Sequence, residues 1–271
     1  MASIFDSHAH YDDEAFDADR EELLSGLYAG NVCGIINASA SMASSRLSIQ
    51  LAERYPFVWA AVGIHPEDAA HVTAKDIDEL RQLYAHPRVI AIGEIGLDYH
   101  YEDSCPRKKQ LEVFNAQLEL AGELDAPVIV HDREAHEDIL RLLKTFRPRG
   151  VVHCFSGSTE MLRELINIGM YIGLGGAVTF KNARRPVESA AAVPIDRLLL
   201  ETDAPYMAPV PCRGKRCDSG MIVHTAARIA EIRGISTDEL LEQTRQGTGA
   251  MYGASVSCRV CFRSAARPTI E

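Results

Sequence analysis

Asp6-Ser7-His8-Ala9-His10 sets two imidazoles two positions apart, and alternate side chains of a β-strand share a face, so both can reach one cation. In a chain with ten histidines such a pair also arises by chance, so it needs company. In Gly93-Glu94-Ile95-Gly96-Leu97-Asp98 a carboxylate follows the apolar run 89–92. A buried carboxylate is costly unless it pairs or binds a cation. Glu94 therefore either ligates an ion or sits in a loop beyond the strand and caps the next helix. Two further apolar runs end in histidine, Val128-Ile129-Val130-His131 and Val151-Val152-His153. One strand-end histidine reads as a hydrogen-bonded core residue; two equivalent ones beside His8 and His10 point to convergence. Finally, Leu198-Leu199-Leu200-Glu201-Thr202-Asp203 brings two acids out on one face of a fully apolar run.

His8, His10, Glu94, His131, His153 and Asp203 thus form a candidate set of six ligands from five strand ends, enough for two divalent cations. Nitrogen and oxygen donors without thiolate suit Zn, Mn, Fe or Co, with Mg at a carboxylate-rich half. A cation would offset the acids after the eighth run, and Asp203 could both ligate it and take a proton from its water. Arg133 shares a face with His131, where a guanidinium forks onto a phosphate or pairs with Glu94 or another acid.

Side chains so far apart in sequence meet only if a scaffold gathers them. Short β-rich apolar runs near 2–8, 33–38, 57–63, 89–95, 127–131, 150–153, 171–174 and 197–201 read as eight strands. Helical periodicity between them marks 19–28, 44–54, 74–84, 107–124, 136–146 and 159–168. Strand-then-helix alternation implies a parallel sheet, and eight units imply an α/β fold of the (β/α)8 barrel type. An open doubly wound sheet uses the same units. Closure is favoured because no Gly-x-Gly-x-x-Gly follows the first run and polar residues recur at the strand ends, where barrels place their sites. No linker divides the chain, so residues 1–253 are expected to form one catalytic domain.

The charge of −10, from 28 basic and 38 acidic residues, disfavours non-specific coating of nucleic acid, which depends on Lys and Arg. Any polyanion must be gripped locally. Seven scattered cysteines argue for reduced thiols, and there is neither a run long enough to span a bilayer nor a signal-like amino terminus. The expectation is a cytoplasmic protein with no membrane association and no obligate protein partner.

From Asp6 to about Gly253 the sequence resembles the TatD-like metal-dependent deoxyribonucleases of the amidohydrolase superfamily. The resemblance rests on Asp6-Ser7-His8-Ala9-His10, Gly63-Ile64-His65-Pro66, Gly93-Glu94-Ile95-Gly96-Leu97-Asp98, His131 to Arg133, His153-Cys154-Phe155-Ser156-Gly157 and Leu200-Glu201-Thr202-Asp203-Ala204-Pro205-Tyr206. It implies one metal at His8, His10, Glu94 and Asp203 and a second at Glu94, His131 and His153, with Glu94 bridging. It also implies hydrolysis of phosphodiesters, with removal of nucleotides from single-stranded or 3′ DNA ends by two divalent cations (Mg, Zn or Mn). Asp203 would take the proton, His65 and Arg133 would contact the phosphate, and Glu201 would orient neighbouring groups; His65 before Pro66 also reads as a simple strand cap. Other members of the superfamily hydrolyse carbon–nitrogen or ester bonds of small molecules, often with a carboxylated lysine where Glu94 stands. A barrel with vestigial metals acting as a scaffold is a third reading, and the completeness of the ligand set stands against it.

The chain departs from the family pattern after the eighth strand. Cys217 stands where Asn is usual, beside a basic turn of Arg213, Lys215 and Arg216 that either tracks a nucleic-acid backbone or is simply solvated. Cys212 and Cys217 form a candidate redox pair. The tail 254–271, with Cys258-Arg259-Val260-Cys261, lies outside the resemblance and is expected to be poorly ordered.

Overall fold

All eight apolar runs form strands, and they pair in parallel in chain order. They are β1 (Ile4–Ala9), β2 (Val32–Ala38), β3 (Val58–Val62), β4 (Val89–Asp98), β5 (Val128–Arg133), β6 (Gly150–Val152), β7 (Tyr171–Leu174) and β8 (Leu198–Leu200). After β8 the chain returns to β1. The Asp203 N–H donates to the His8 carbonyl at 3.0 Å and the His10 N–H to the Ala204 carbonyl at 2.7 Å. These bonds bring the two edges of the sheet together as a (β/α)8 barrel and exclude the open sheet. The structure is a computed structural model describing residues 2–100, 105–253 and 256. Of the tail 254–271, expected to be poorly ordered, Val256 is described and buried; the rest, with the Cys258–Cys261 pair, falls outside the described residues.

The helices are α1 (Arg20–Ala29), α2 (Met42–Arg54), α3 (Ala74–Tyr84), α4 (Arg107–Glu123), α5 (His136–Phe146), α6 (Thr159–Asn167), α7 (Arg184–Ala192), α8 (Ile222–Arg233) and α9 (Thr237–Tyr252). Serine caps set several starts: Ser41, Ser158 and Ser236 accept from backbone N–H groups in the first turns of α2, α6 and α9. Thr73 and Asp76 close a capping box on α3. The first six helices coincide with the periodic segments. In α7 only Ser189 and Ala190 are buried, and α9 turns Thr244, Gly247 and Thr248 inward, so neither carries a continuous apolar stripe.

Helices and strands bury the larger core between them, while a separate cluster gathers Phe5, Trp59, Ile129, Val151, Tyr171 and Leu199 with Met251 and Tyr252 of α9. Strand alternation connects that second cluster to the site. Ile129 shares a face with His131 and Arg133, and Val151 and Leu199 stand two residues before His153 and Glu201. One apolar layer thus supports a polar layer at the carboxyl ends of the strands. Among the described residues no helix is long and apolar enough to cross a membrane.

Candidate metal centre

Glu94 lies inside β4, not in a loop, because pairing with β5 continues through Gly96↔His131 and Asp98↔Arg133. Gly96 permits this close pairing: a Cβ there would stand 2.0 Å from the His131 carbonyl oxygen. The Glu94 carboxylate is 2 % exposed, and its two oxygens face different histidines. Oε1 lies 2.7 Å from His153 Nε2 and 2.8 Å from His131 Nδ1; Oε2 lies 3.2 Å from His8 Nε2 and 3.4 Å from His10 Nε2. Asp203 Oδ1 completes the second side, 3.3 Å from His10 Nε2 and 3.6 Å from His8 Nε2. Three donor groups emerge, His8–Glu94–His153, His8–His10–Asp203 and His65–Glu94–His131, each with ligand atoms within 4.8 Å of one another. All six residues of the sequence-derived set therefore meet in one place. They line or underlie a cavity of about 920 Å³ that His65, Arg133 and Tyr206 also line.

Hydrogen bonds fix which ring nitrogens face the centre. His10 Nδ1 donates to the Ala38 carbonyl at 2.9 Å, leaving Nε2 aimed at the carboxylates. His131 Nε2 donates to Asp98 Oδ2 at 3.0 Å, leaving Nδ1 toward Glu94. A histidine held by a carbonyl or carboxylate on one nitrogen and presenting the other is the form in which imidazole binds a cation. The residues present fit a divalent ion.

His65 differs. Its Nδ1 accepts from the Glu67 N–H at 3.3 Å, so Nε2, 3.7 Å from Glu94 Oε1, carries the hydrogen. Burial, with His131 nearby, lowers its pKa to about 3, so the ring is a neutral donor at pH 7. It caps the short 3-10 turn Pro66–His71, as the strand-cap alternative requires, and still aims a donor into the cavity.

Without a cation, the acids draw protons onto their neighbours. Burial opposes charge on His10, but Asp203 and Glu94 outweigh it and raise its pKa to about 10; Asp98 and Glu94 do the same for His131. His8, wholly buried and beside His153, is lowered to about 4. Burial would raise Glu94 and Asp203, yet the surrounding imidazoles hold both below the ordinary carboxylate range.

Two acids at the site were not among the sequence candidates. Asp98 orients His131 and is itself held by the His100 N–H at 2.9 Å, while Gln110 brackets its backbone. Replacing Asp98 with Asn is expected to weaken cation binding about 10- to 100-fold with the fold retained, as read by chelator competition. Asp6 is fully buried and accepts from the backbones of His8 and Thr202 and the hydroxyls of Thr202 and Ser219. It pins β1 to the loop carrying Asp203. The available signal for both was an acid in a strand that already carried a candidate ligand.

Glu201 lies deeper, fully buried, accepting from the Cys154 N–H, with Oε1 3.8 Å from His153 Nδ1. Burial pushes its carboxyl up to about 8. Gly173 makes room for it, since a Cβ there would stand 2.2 Å from Oε2. Arg133 is exposed at the cavity edge, next to Asp98 across the strand pair. In the basic turn, Arg216 is spent on a two-pronged pair with Asp19 at 2.8 and 2.6 Å, so it is not available to a nucleic-acid backbone. Cys212 and buried Cys217 are thiols, so no Cys212–Cys217 disulfide is formed.

A parallel barrel that gathers four histidines and two acids at the carboxyl ends of its strands belongs to the class of metal-dependent hydrolases. The model of the TatD related DNase family matches residues 5–253, and the chain belongs to that family. It is 39% identical over 252 residues to the uncharacterized metal-dependent hydrolase YabD of Bacillus subtilis (strain 168), covering 92% of this chain and 98% of the relative. It is 33% identical over 264 residues to the 3'-5' ssDNA/RNA exonuclease TatD of Klebsiella pneumoniae (strain 342), covering 94% and 99%. The crystal structure of YJJV, a TatD homolog from Escherichia coli k12, superposes with a TM-score of 0.86 at 31% identity, covering 92% of this chain and 97% of that one.

Proposed function

We propose that this protein removes nucleotides from the ends of single-stranded DNA by hydrolysing phosphodiester bonds with two divalent cations, Mg, Mn or Zn. His8, His10, Glu94 and Asp203 would hold one, and Glu94, His131 and His153 the other. The observation that carries this reading is Glu94, whose two oxygens each face a histidine pair, with Asp203 beside one pair only. The name of the Klebsiella relative supports the substrate class, and the family match supports the chemistry.

When bound, the cations would supply activated water and offset charge growing on the phosphoryl oxygens. The chain's own groups do the rest. Asp203 is ionised at neutral pH and stands at the cavity edge of its site, placed to accept the proton of the attacking water. His65 offers its Nε2 hydrogen to a phosphate oxygen, and the Arg133 guanidinium forks onto another. Glu201 steadies His153 from below. A lysine-bridged site for cyclic amides is disfavoured because Glu94 fills the bridging place. The thiol form of Cys105, Cys154, Cys212 and Cys217 supports the cytoplasmic assignment.

Digestion of end-labelled single-stranded DNA, duplex DNA and RNA by the Mn-loaded protein tests this reading. Single-stranded DNA should shorten from its end and EDTA should stop it; turnover of a lactone or cyclic amide with no nucleic acid cut would refute it. Proton coupling supplies another test. Because the metal-free site holds protons on His10 and His131, cation binding must release them, so affinity should rise with pH between 6 and 8, about tenfold per unit for each proton released. Calorimetry in buffers of different ionisation enthalpy measures that number, and binding with no proton release would contradict it.

A further inference from the structure

The rim of the cavity is divided by charge. Asp12, Asp13 and Glu67 line it from the loops after β1 and β3. Beyond the loops after β7 and β8 the exposed charges include Lys181, Arg185, Arg213 and Lys215. These two loops form one flank: the Val210 N–H donates to Thr179 Oγ1 at 2.9 Å, and Met207, which lines the cavity, packs its carbonyl against Gly176. Their neighbours Arg184 and Arg216 are paired with Glu188 and Asp19, but among the described residues Lys181, Arg185, Arg213 and Lys215 form no ion pair. Arg185 reaches the Ser156 carbonyl at 3.4 Å, which leans it toward the loop after β6 that follows His153. The guanidinium carbon of Arg213 sits over Phe180, 3.7 Å from the ring centre.

A guanidinium held over an aromatic ring loses little further freedom on binding and keeps its in-plane N–H groups for a phosphate fork. Four basic side chains without acid partners, beside the active site of a protein of net charge −10, are an electrostatic opening for a polyanion. The acidic loops opposite repel phosphates. We propose that the uncut body of a single-stranded polynucleotide leaves the metal centre over the β7–β8 flank, its backbone phosphates on Arg213, Lys215, Lys181 and Arg185. This rests on the nucleic-acid substrate proposed above. It gives the strand one exit path and explains how a strongly acidic protein grips a polyanion locally.

The test compares the dinucleotide d(TpT) with dT16 on the metal-loaded wild type and on the variant K181Q/R185Q/R213Q/K215Q. All four side chains are exposed, and fold and metal content are checked by circular dichroism and elemental analysis. KM for dT16 should rise about tenfold or more and kcat by contrast change little, with a much smaller effect on d(TpT). The salt slope of dT16 binding, read by fluorescence anisotropy, should flatten by about 0.7 for each phosphate that the variant no longer neutralises. A control with equal charge removed from the outer helices, R141Q/K144Q/R163Q/R228Q, should keep wild-type KM for dT16. Equal KM changes for both substrates, equal losses in the control, or an unaltered salt slope would overturn the exit path. If the wild type cuts neither substrate, the nuclease reading fails by itself, and anisotropy still decides whether the flank binds a strand.

Discussion

Glu94→Gln is expected to lower turnover at least about a thousandfold and to reduce bound metal below one ion per chain, with the circular dichroism spectrum unchanged. Glutamine keeps the size of the side chain and removes the charge that both histidine pairs face. At 2 % exposure no solvent or other carboxylate can take its place, and Asp203 stands beside only His8 and His10. His10 and His131 would also lose their common partner, so each ring should titrate closer to its ordinary range in the metal-free variant. Both effects are visible by elemental analysis and by following the histidine ring protons with pH. Activity within tenfold of wild type would refute the bridging role.

Asp203→Asn is expected to cut kcat by about 10²- to 10⁴-fold, the range for loss of a positioned general base, with a small change in KM for a short substrate. Asparagine is the right probe because Asp203 has φ 64°, the left-handed region that Asn tolerates better than Ala. The loop, held by Asp6 on Thr202 and by the Asp203 N–H on His8, should keep its shape. Steady-state kinetics on d(TpT) reads the effect. A variant that keeps its metal and its kcat would show that proton removal lies with another group.

Most of the architecture was legible because barrel strands are apolar on both faces and so read as unbroken runs. The ligands were legible for the complementary reason: His131, His153, Glu201 and Asp203 interrupt such runs where an aliphatic side chain would otherwise continue. What stayed hidden depends on partners distant in sequence. Asp98 looks like the last polar residue of a strand until His131 is seen 3.0 Å away, and Asp6 looks like a companion of His8 until Ser219 and Thr202 reach it. The basic turn read as a unit of three, yet Asp19 of the α1 capping segment takes Arg216 out of it. Likewise β4 extends through Glu94 to Asp98 because β5 carries the pairing past Gly96, a register that neither strand announces alone.

The most direct measurement is anomalous diffraction at the manganese edge from crystals soaked in Mn²⁺. Two peaks are expected in the cavity: one among His8, His10, Asp203 and Oε2 of Glu94, the other among His131, His153 and Oε1 of Glu94. A cavity without a peak, or a single ion bound on the acidic rim away from Glu94, would contradict a paired-cation centre.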